Sequence, residues 1–522
     1  MRIEADLVVF NGNVITLDPE NPRATAIAVK NYKFLMVGDD HEVIDLLQSA
    51  RRVVDLGGKT VLPGFVDAHT HITSAGIRRG YVDLAGVRSI DELKSHLRSV
   101  VQTVPPGEWI SGHKWDESLW PERRFPTAQD LDEVSTKHPI AIDRVDLHLV
   151  SMNSLAMRLL RPPMDHEGVV RDSEGRPVGV FRDVPDLFSK LKLSLEDIKR
   201  GVVEGCHIAN RHGITTVVDN VRSEYIRAIV ECQREQLLTA RLVANPPADS
   251  AKHLIALGLT SGLGGPMFRI GGVKSFVDGS IGARTAALEE PYADDPRNTG
   301  RLLMDRQALT RFLRKAVRGG IQTVTHAIGD RAIETLLSAF EALSERELAL
   351  VRGQRHRIEH AEMMSREQIR RAAALGLILS MQPNFVGEWQ GEGGLYEQRL
   401  GPERTSRMNM FRVALDNGAR VCFGSDGMPY GPLYGIWSAV THPNPNVRIG
   451  VEEALRCYTL EGAYASFVEH IIGNIRVGKR ADFVVLSEDI TCVGPERIKD
   501  IRVESTFVGG IEEFSMARNR GL

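Results

Sequence analysis

Cysteine is scarce in this chain: five among 522 residues, at Cys206, Cys232, Cys422, Cys457 and Cys492. The number is odd and no Cys-x-x-Cys pair occurs, which argues against both a disulfide framework and a thiolate zinc site. A reducing compartment fits best. Long apolar runs are also missing, since none approaches the roughly 18 to 20 residues of a membrane span. The first residues, Met1-Arg2-Ile3-Glu4-Ala5-Asp6, carry acids where a signal peptide has its apolar core. A cytoplasmic protein is therefore expected. Charge of one sign is not in excess: 65 basic residues against 68 acidic ones give a formal net charge of −3. Nothing here favours a nucleic-acid or anionic-membrane partner, so the expected partner is a small-molecule substrate. Repeats, low-complexity tracts and long charge runs are absent too.

What remains is an ordinary globular composition, 42% hydrophobic and 25% charged, with room for two or three domains. The first 60 residues read as β-structure: Asp6–Phe10, Asn13–Leu17, Ala24–Val29, Phe34–Val37 and Val53–Leu56, with one helical patch near Glu42–Gln48. The tail offers Asp482–Leu486 and Ile501–Val508. Strands at both ends suggest one discontinuous β-sandwich domain, residues 1–60 with 472–522. Between them eight apolar segments alternate with helical patterns: Val61–Ala68, Gly213–Asp219, Ala240–Asn245, Ile270–Asp278, Ile321–His326, His356–His360, Leu377–Gln382 and Val421–Asp426. Eight strand-then-helix units are the signature of an α/β parallel (β/α)8 TIM-like barrel. The barrel is expected over 61–75 and 191–471, with 76–190 as an insertion after its first strand that caps the mouth.

The most informative stretch is Phe65-Val66-Asp67-Ala68-His69-Thr70-His71. Residues two apart on a strand face the same way, so His69 and His71 can offer two ring nitrogens to one metal. With 16 histidines in the chain, this spacing would arise by chance in roughly four such chains in ten. Other strand ends supply the weight. Lys274 alternates with Val273 and so faces the interior, and His326, His360 and Asp426 close the fifth, sixth and eighth segments. A lone histidine is usually a hydrogen-bonded core or surface group. Six such groups at strand ends, where barrels collect their chemistry, reverse that reading. An interior lysine is costly unless paired or used chemically. Either it pairs with Asp278 four residues on, or it takes up carbon dioxide and becomes an anionic carbamate ligand.

This pattern resembles the amidohydrolase superfamily, and its finer wording is similar to the group containing N-substituted formamide deformylase (amidohydrolase family 3). The stretches that carry the resemblance are Pro63–His71, Trp115-Asp116-Glu117, Lys274–Ala286, His326–Asp330, Arg357–Ala361, Gly424-Ser425-Asp426 and Gly478–Asp482. They run in order over nearly the whole chain. The resemblance implies a metal-dependent hydrolase of amide-like carbon–nitrogen bonds, holding one or two divalent ions, zinc above all. His69, His71 and Asp426 would bind the more buried ion, His326 and His360 the more exposed one, and carbamylated Lys274 would bridge them. Asp426 would also be the catalytic proton carrier. Homodimers are common in that superfamily.

Trp115 and His148 of the inserted segment and Arg284 after the fourth strand are candidate substrate-binding residues, against structural or salt-bridged roles. In the sixth segment strict alternation puts His356, Ile358 and His360 on one face and turns Arg357 and Glu359 toward the helices. Three rival readings stand beside the main one. His356-Arg357-Ile358-Glu359-His360 matches an inverted-zincin pattern, which requires a helix. A non-catalytic binding or regulatory relative would be expected to lose ligands, whereas all six are kept. The same site could also hydrolyse a cyclic amide, a carbamate or an ester.

Overall fold

The apolar run that begins at Val61 is not one strand. In the computed structural model, which describes residues 4–144, 149–166, 168–182 and 193–519, Thr60–Pro63 and Phe65–Thr70 are separate strands in different sheets. The break falls at Gly64, where an added Cβ would lie 2.3 Å from Oγ1 of Thr215. The chain must cross between sheets at a point too tight for any side chain.

Phe65–Thr70 is the first (β1) of eight strands that match the eight expected segments. The others are β2 (Ile214–Asn220), β3 (Arg241–Asn245), β4 (Val273–Phe276), β5 (Thr323–Ala327), β6 (Arg357–His360), β7 (Ile378–Met381) and β8 (Arg420–Phe423). All seven residues of β2 are buried, as expected of a parallel strand covered on both faces. The strands form two parallel arrays. One runs β1-β2-β3 and ends on the short strand Phe268–Ile270; the other runs β4 through β8 in sequence order. The arrays touch at both ends. The Lys274 N–H donates to Pro246 O at 2.8 Å, and the Asp426 N–H donates to His69 O at 2.8 Å.

Helices follow most of these strands, and their boundaries come from local chemistry. Arg306–Arg318 starts where the Asp305 side chain accepts the Ala308 N–H, and it buries Leu309, Leu313, Ala316 and Val317 along one stripe. Arg366–Leu375 begins with a reciprocal Ser365–Gln368 cap and ends at left-handed Gly376. After β5 come two helices, Asp330–Glu341 and Glu345–Gln354, the second starting where Ser344 and Glu347 form their own cap.

Both chain ends meet in one six-stranded sheet, ordered Ile511–Ser515, Val503–Val508, Phe483–Leu486, Thr60–Pro63, Asn13–Ile15, Arg23–Ala24. A four-stranded sheet from the first 55 residues lies against it. Val9, Ile27 and Phe34 of the latter pack with Val61, Phe483 and Phe507 of the former. Ile511–Ser515 is a strand the sequence pattern did not reveal.

The chain divides into two compact units, Met1–Thr73 with Gly205–Leu522, and Ser74–Glu204. The second has its own six-stranded sheet, in which Ile140–Arg144 pairs antiparallel with Leu149–Met152. Its core holds Leu93, Leu97, Trp115, Trp120 and Ile142. Among the described residues, no helix is long and apolar enough to cross a membrane. All five cysteines are free.

Candidate metal centre

The end of β1 delivers two histidines whose tautomers are set by their neighbours. Nδ1 of His69 donates to the Glu359 carboxylate, which leaves Nε2 as the lone-pair nitrogen. Nδ1 of His71 donates to Asn220 O at 3.0 Å, with the same result. Both Nε2 atoms face Asp426, whose Oδ1 lies 3.8 Å from that of His69 and 3.5 Å from that of His71. One ligand atom from each of these three residues falls within 4.8 Å of the others. A third group anchoring each ring is the usual support of a metal-binding histidine.

Asp426 is aimed by a local device. Asp67, on β1, accepts the Ser425 N–H at 2.9 Å and the Ser425 hydroxyl at 2.5 Å. The next residue, Asp426, has φ +53, an uncommon backbone state for a non-glycine residue. Together these turn its carboxylate back over His69 and His71.

Lys274 on β4 is 5% exposed, and its Nζ lies 3.2 Å from Nε2 of His69. It does not pair with Asp278. That carboxylate instead accepts the N–H groups of Ala287, Ile328 and Gly329 at 2.9, 3.1 and 2.9 Å. The salt-bridge alternative for Lys274 is therefore excluded, and the lysine points into the histidine cluster. His326 donates from Nε2 to Gly279 O at 2.9 Å, keeping Nδ1 as its lone-pair nitrogen. The His326 and His360 rings meet edge to face with centroids 4.4 Å apart, and His360 lies 4.8 Å from His69. Nδ1 of His360 is buried with no hydrogen-bond partner. A buried orphan nitrogen is costly, and a metal ion is the kind of partner that would relieve it. The donor set thus fits a divalent ion: imidazole nitrogens and a carboxylate, with partners already fixing the other ring nitrogens of His69, His71 and His326.

The sixth strand corrects the alternation read from sequence. Arg357 and Glu359 face inward, not toward the helices. Arg357 reaches Glu359, Ala68 O and the Ser380 hydroxyl on β1 and β7. His356 faces the other way, packing its ring 5.6 Å from Phe340. His360 joins the cluster only because its backbone leaves the pleat, with φ +70 followed by +53 at Ala361. The inverted-zincin alternative is excluded by the same segment, which is a strand.

Burial shapes the titration of the whole cluster. It drives His69 and His360 well below the ordinary histidine range and His326 down to about 3, so these rings are neutral, as ligands must be. Burial also lowers Lys274 to about 8, against the pull of Glu359 and Asp426. Asp426 is pushed up to about 7 by burial, with Lys274 drawing it back.

Two of the remaining candidates have partners within the protein. The Arg284 guanidinium is held by Asp294 at 3.0 and 2.8 Å. The Trp115 indole is fully buried in the core of the second unit, donating to Ile142 O at 3.1 Å beside Trp120. Packing accounts for that ring without a substrate. His148 lies outside the described residues. Sequence reasoning missed Glu359, Arg357 and Asp67 as site-building groups. For Arg357 and Glu359 the only signal was two charged residues flanking Ile358 inside a fully buried strand.

Residues 52–511 match the family model Amidohydro_3, described as "Amidohydrolase family". The chain is 30% identical to Protein LONG AFTER FAR-RED 3 of Arabidopsis thaliana, over 97% of this chain and 91% of that one. It is 27% identical to the N-substituted formamide deformylase of Arthrobacter pascens, over 98% of each. Among solved structures it is similar to an uncharacterized metal-dependent hydrolase from Pyrococcus furiosus: TM-score 0.80, 29% identity, 94% of this chain and 99% of the other. These matches and the parallel arrays define a TIM-barrel-like α/β protein. The chain belongs to the amidohydrolase family.

Proposed function

We propose that the protein is a metal-dependent hydrolase that cleaves a non-peptide, amide-like carbon–nitrogen bond of a small molecule, an N-formyl or N-acyl amine. The observation that carries this reading is the convergence of His69, His71 and Asp426 within 4.8 Å, with Lys274 Nζ 3.2 Å from His69. Membership of the amidohydrolase family and likeness to a metal-dependent hydrolase support it. On this reading the eight strands close into one barrel, and the terminal sheets form a β-sandwich domain. Five free cysteines suit the cytoplasm.

His69, His71 and Asp426 would hold one ion, zinc by donor chemistry, and His326 with His360 a second; Lys274, as a carbamate, would join the two. A bound divalent ion supplies Lewis-acid polarisation of the substrate carbonyl and acidification of water. The protein's part is proton handling. Amide nitrogen leaves only once protonated, and Asp426, beside both His69 and His71, takes a proton from water and gives it to that nitrogen. His69, His326 and His360 stay neutral throughout, so they compete for no protons.

The test is a substrate panel on metal-loaded protein: N-formyl and N-acyl amines, cyclic amides, carbamates and esters. Turnover of linear amides with the largest kcat/KM is expected. A preference for rings, carbamates or esters moves the substrate class while keeping the site. No turnover of any member would contradict the reading.

A further inference from the structure

Beneath the metal centre lies an ion pair that the hydrolytic reading does not use. Arg357 and Glu359 are 1% and 0% exposed. The guanidinium grips the carboxylate twice, Nε to Oε1 at 2.7 Å and Nη2 to Oε2 at 3.0 Å. The same Nη2 group also donates to Ala68 O at 2.5 Å and to the Ser380 hydroxyl at 2.7 Å. Oε2 of Glu359 in turn accepts Nδ1–H of His69.

A buried ion pair is poor evidence of stability by itself, since desolvation offsets most of its attraction. These contacts have a direction, however. Arg357 ties β6 to β1 at the residue just before His69, and to β7. Glu359 then uses the oxygen nearest β1 to fix the His69 ring. With Nδ1 carrying the proton, Nε2 keeps its lone pair toward Lys274 and Asp426. The Nδ1–H of His69 is held by a buried carboxylate, whereas His71 and His326 donate to backbone carbonyls, with Asp278 Oδ1 a further contact of His326 at 3.5 Å.

We infer that Glu359, clamped by Arg357, is a positioning residue that locks the tautomer and angle of His69 and thereby sets the affinity of the site for a divalent ion. The inference rests on the proposed metal site. Removal of such an outer partner typically weakens metal binding about 10- to 100-fold. Because the clamp also holds the backbone at Ala68, its loss reaches His69 through both ring and main chain.

The experiment titrates chelator-stripped protein with Zn²⁺ against a competing chelator, for wild type, Glu359→Gln and the double variant Arg357→Met/Glu359→Gln. The double variant removes both charges together, so it remains interpretable if the single change leaves Arg357 unpaired and the chain unfolded. Circular dichroism and melting identify which variant keeps the wild-type fold. Co²⁺ loading adds a visible spectrum that reports the ligand field. The expected result is tight binding by wild type, binding weaker by about 10- to 100-fold in the folded variant, and an altered Co²⁺ band. Wild-type affinity and an unchanged band in a folded variant would overturn the inference, as would failure of both variants to fold, which would make the pair a structural requirement. Absence of any binding by wild type would instead overturn the metal site itself.

Discussion

Nζ of Lys274 and Nε2 of His69 face each other at 3.2 Å, and this contact is incompatible with an ammonium and a metal sharing the site. As an ammonium, Lys274 donates to the one lone pair that His69 offers an ion. As a carbamate, it has oxygens that accept instead. Burial brings Lys274 down to about 8, so neutral amine able to attack carbon dioxide exists near physiological pH.

Lys274→Ala is therefore expected to lose metal and activity together, and short carboxylic acids should restore part of both by supplying the missing oxygens. Metal content and hydrolysis, measured with and without added propionate, check this. Full metal content in Lys274→Ala would show that the lysine is not a ligand.

Asp426→Asn separates binding from proton transfer. The amide oxygen still coordinates weakly, so the fold and much of the metal should remain. The proton step should go, at a cost of about 10²- to 10⁴-fold in kcat. Linear amides should suffer more than activated esters, whose leaving groups depart unprotonated. Steady-state kinetics on a matched amide and ester decide it, and equal small losses would place the base elsewhere.

The crossing at Gly64 predicts a stability effect remote from the chemistry. Gly64→Ala would put a methyl 2.3 Å from Oγ1 and 2.4 Å from Cγ2 of Thr215, an overpacking expected to cost about 1–3 kcal/mol. Thermal melting should fall accordingly, and Thr215→Ala in the same chain should recover part of the loss. An unchanged melting temperature would mean the two sheets separate more easily than this packing implies.

In the second unit, Asp143 is pushed up to about 7 by burial, with Arg78 drawing it down. Its folded value exceeds the ordinary 3.8, so between about pH 4 and 7 the folded state keeps a proton that the unfolded chain releases. Stability attributable to this group therefore falls as pH rises through that window. Asp143→Asn should melt with wild type near pH 4 and above it at pH 8. Parallel curves for the two proteins would remove Asp143 as the cause.

Strands β1 to β8 were legible because each is a short apolar run between helical patterns, a signal that fixes existence but not register. Periodicity failed at the two places where the chain departs from regular geometry. It fused Thr60–Pro63 to Phe65–Thr70, because a change of sheet at Gly64 leaves no mark on an apolar run. It inverted β6, because alternation presumes a continuous pleat, and His360 escapes it through a left-handed φ of +70. The ligands could be proposed from strand ends, but Glu359 could not. Its role depends on a partner 290 residues away in sequence, and no local pattern reports such a contact.

The account rests on a divalent ion at the histidine cluster, and the most direct measurement is the metal content of the purified protein alongside hydrolysis before and after chelation. One or two divalent ions per chain are predicted, with activity abolished by the chelator and restored on adding Zn²⁺ back. Hydrolysis that survives complete removal of metal would contradict the account.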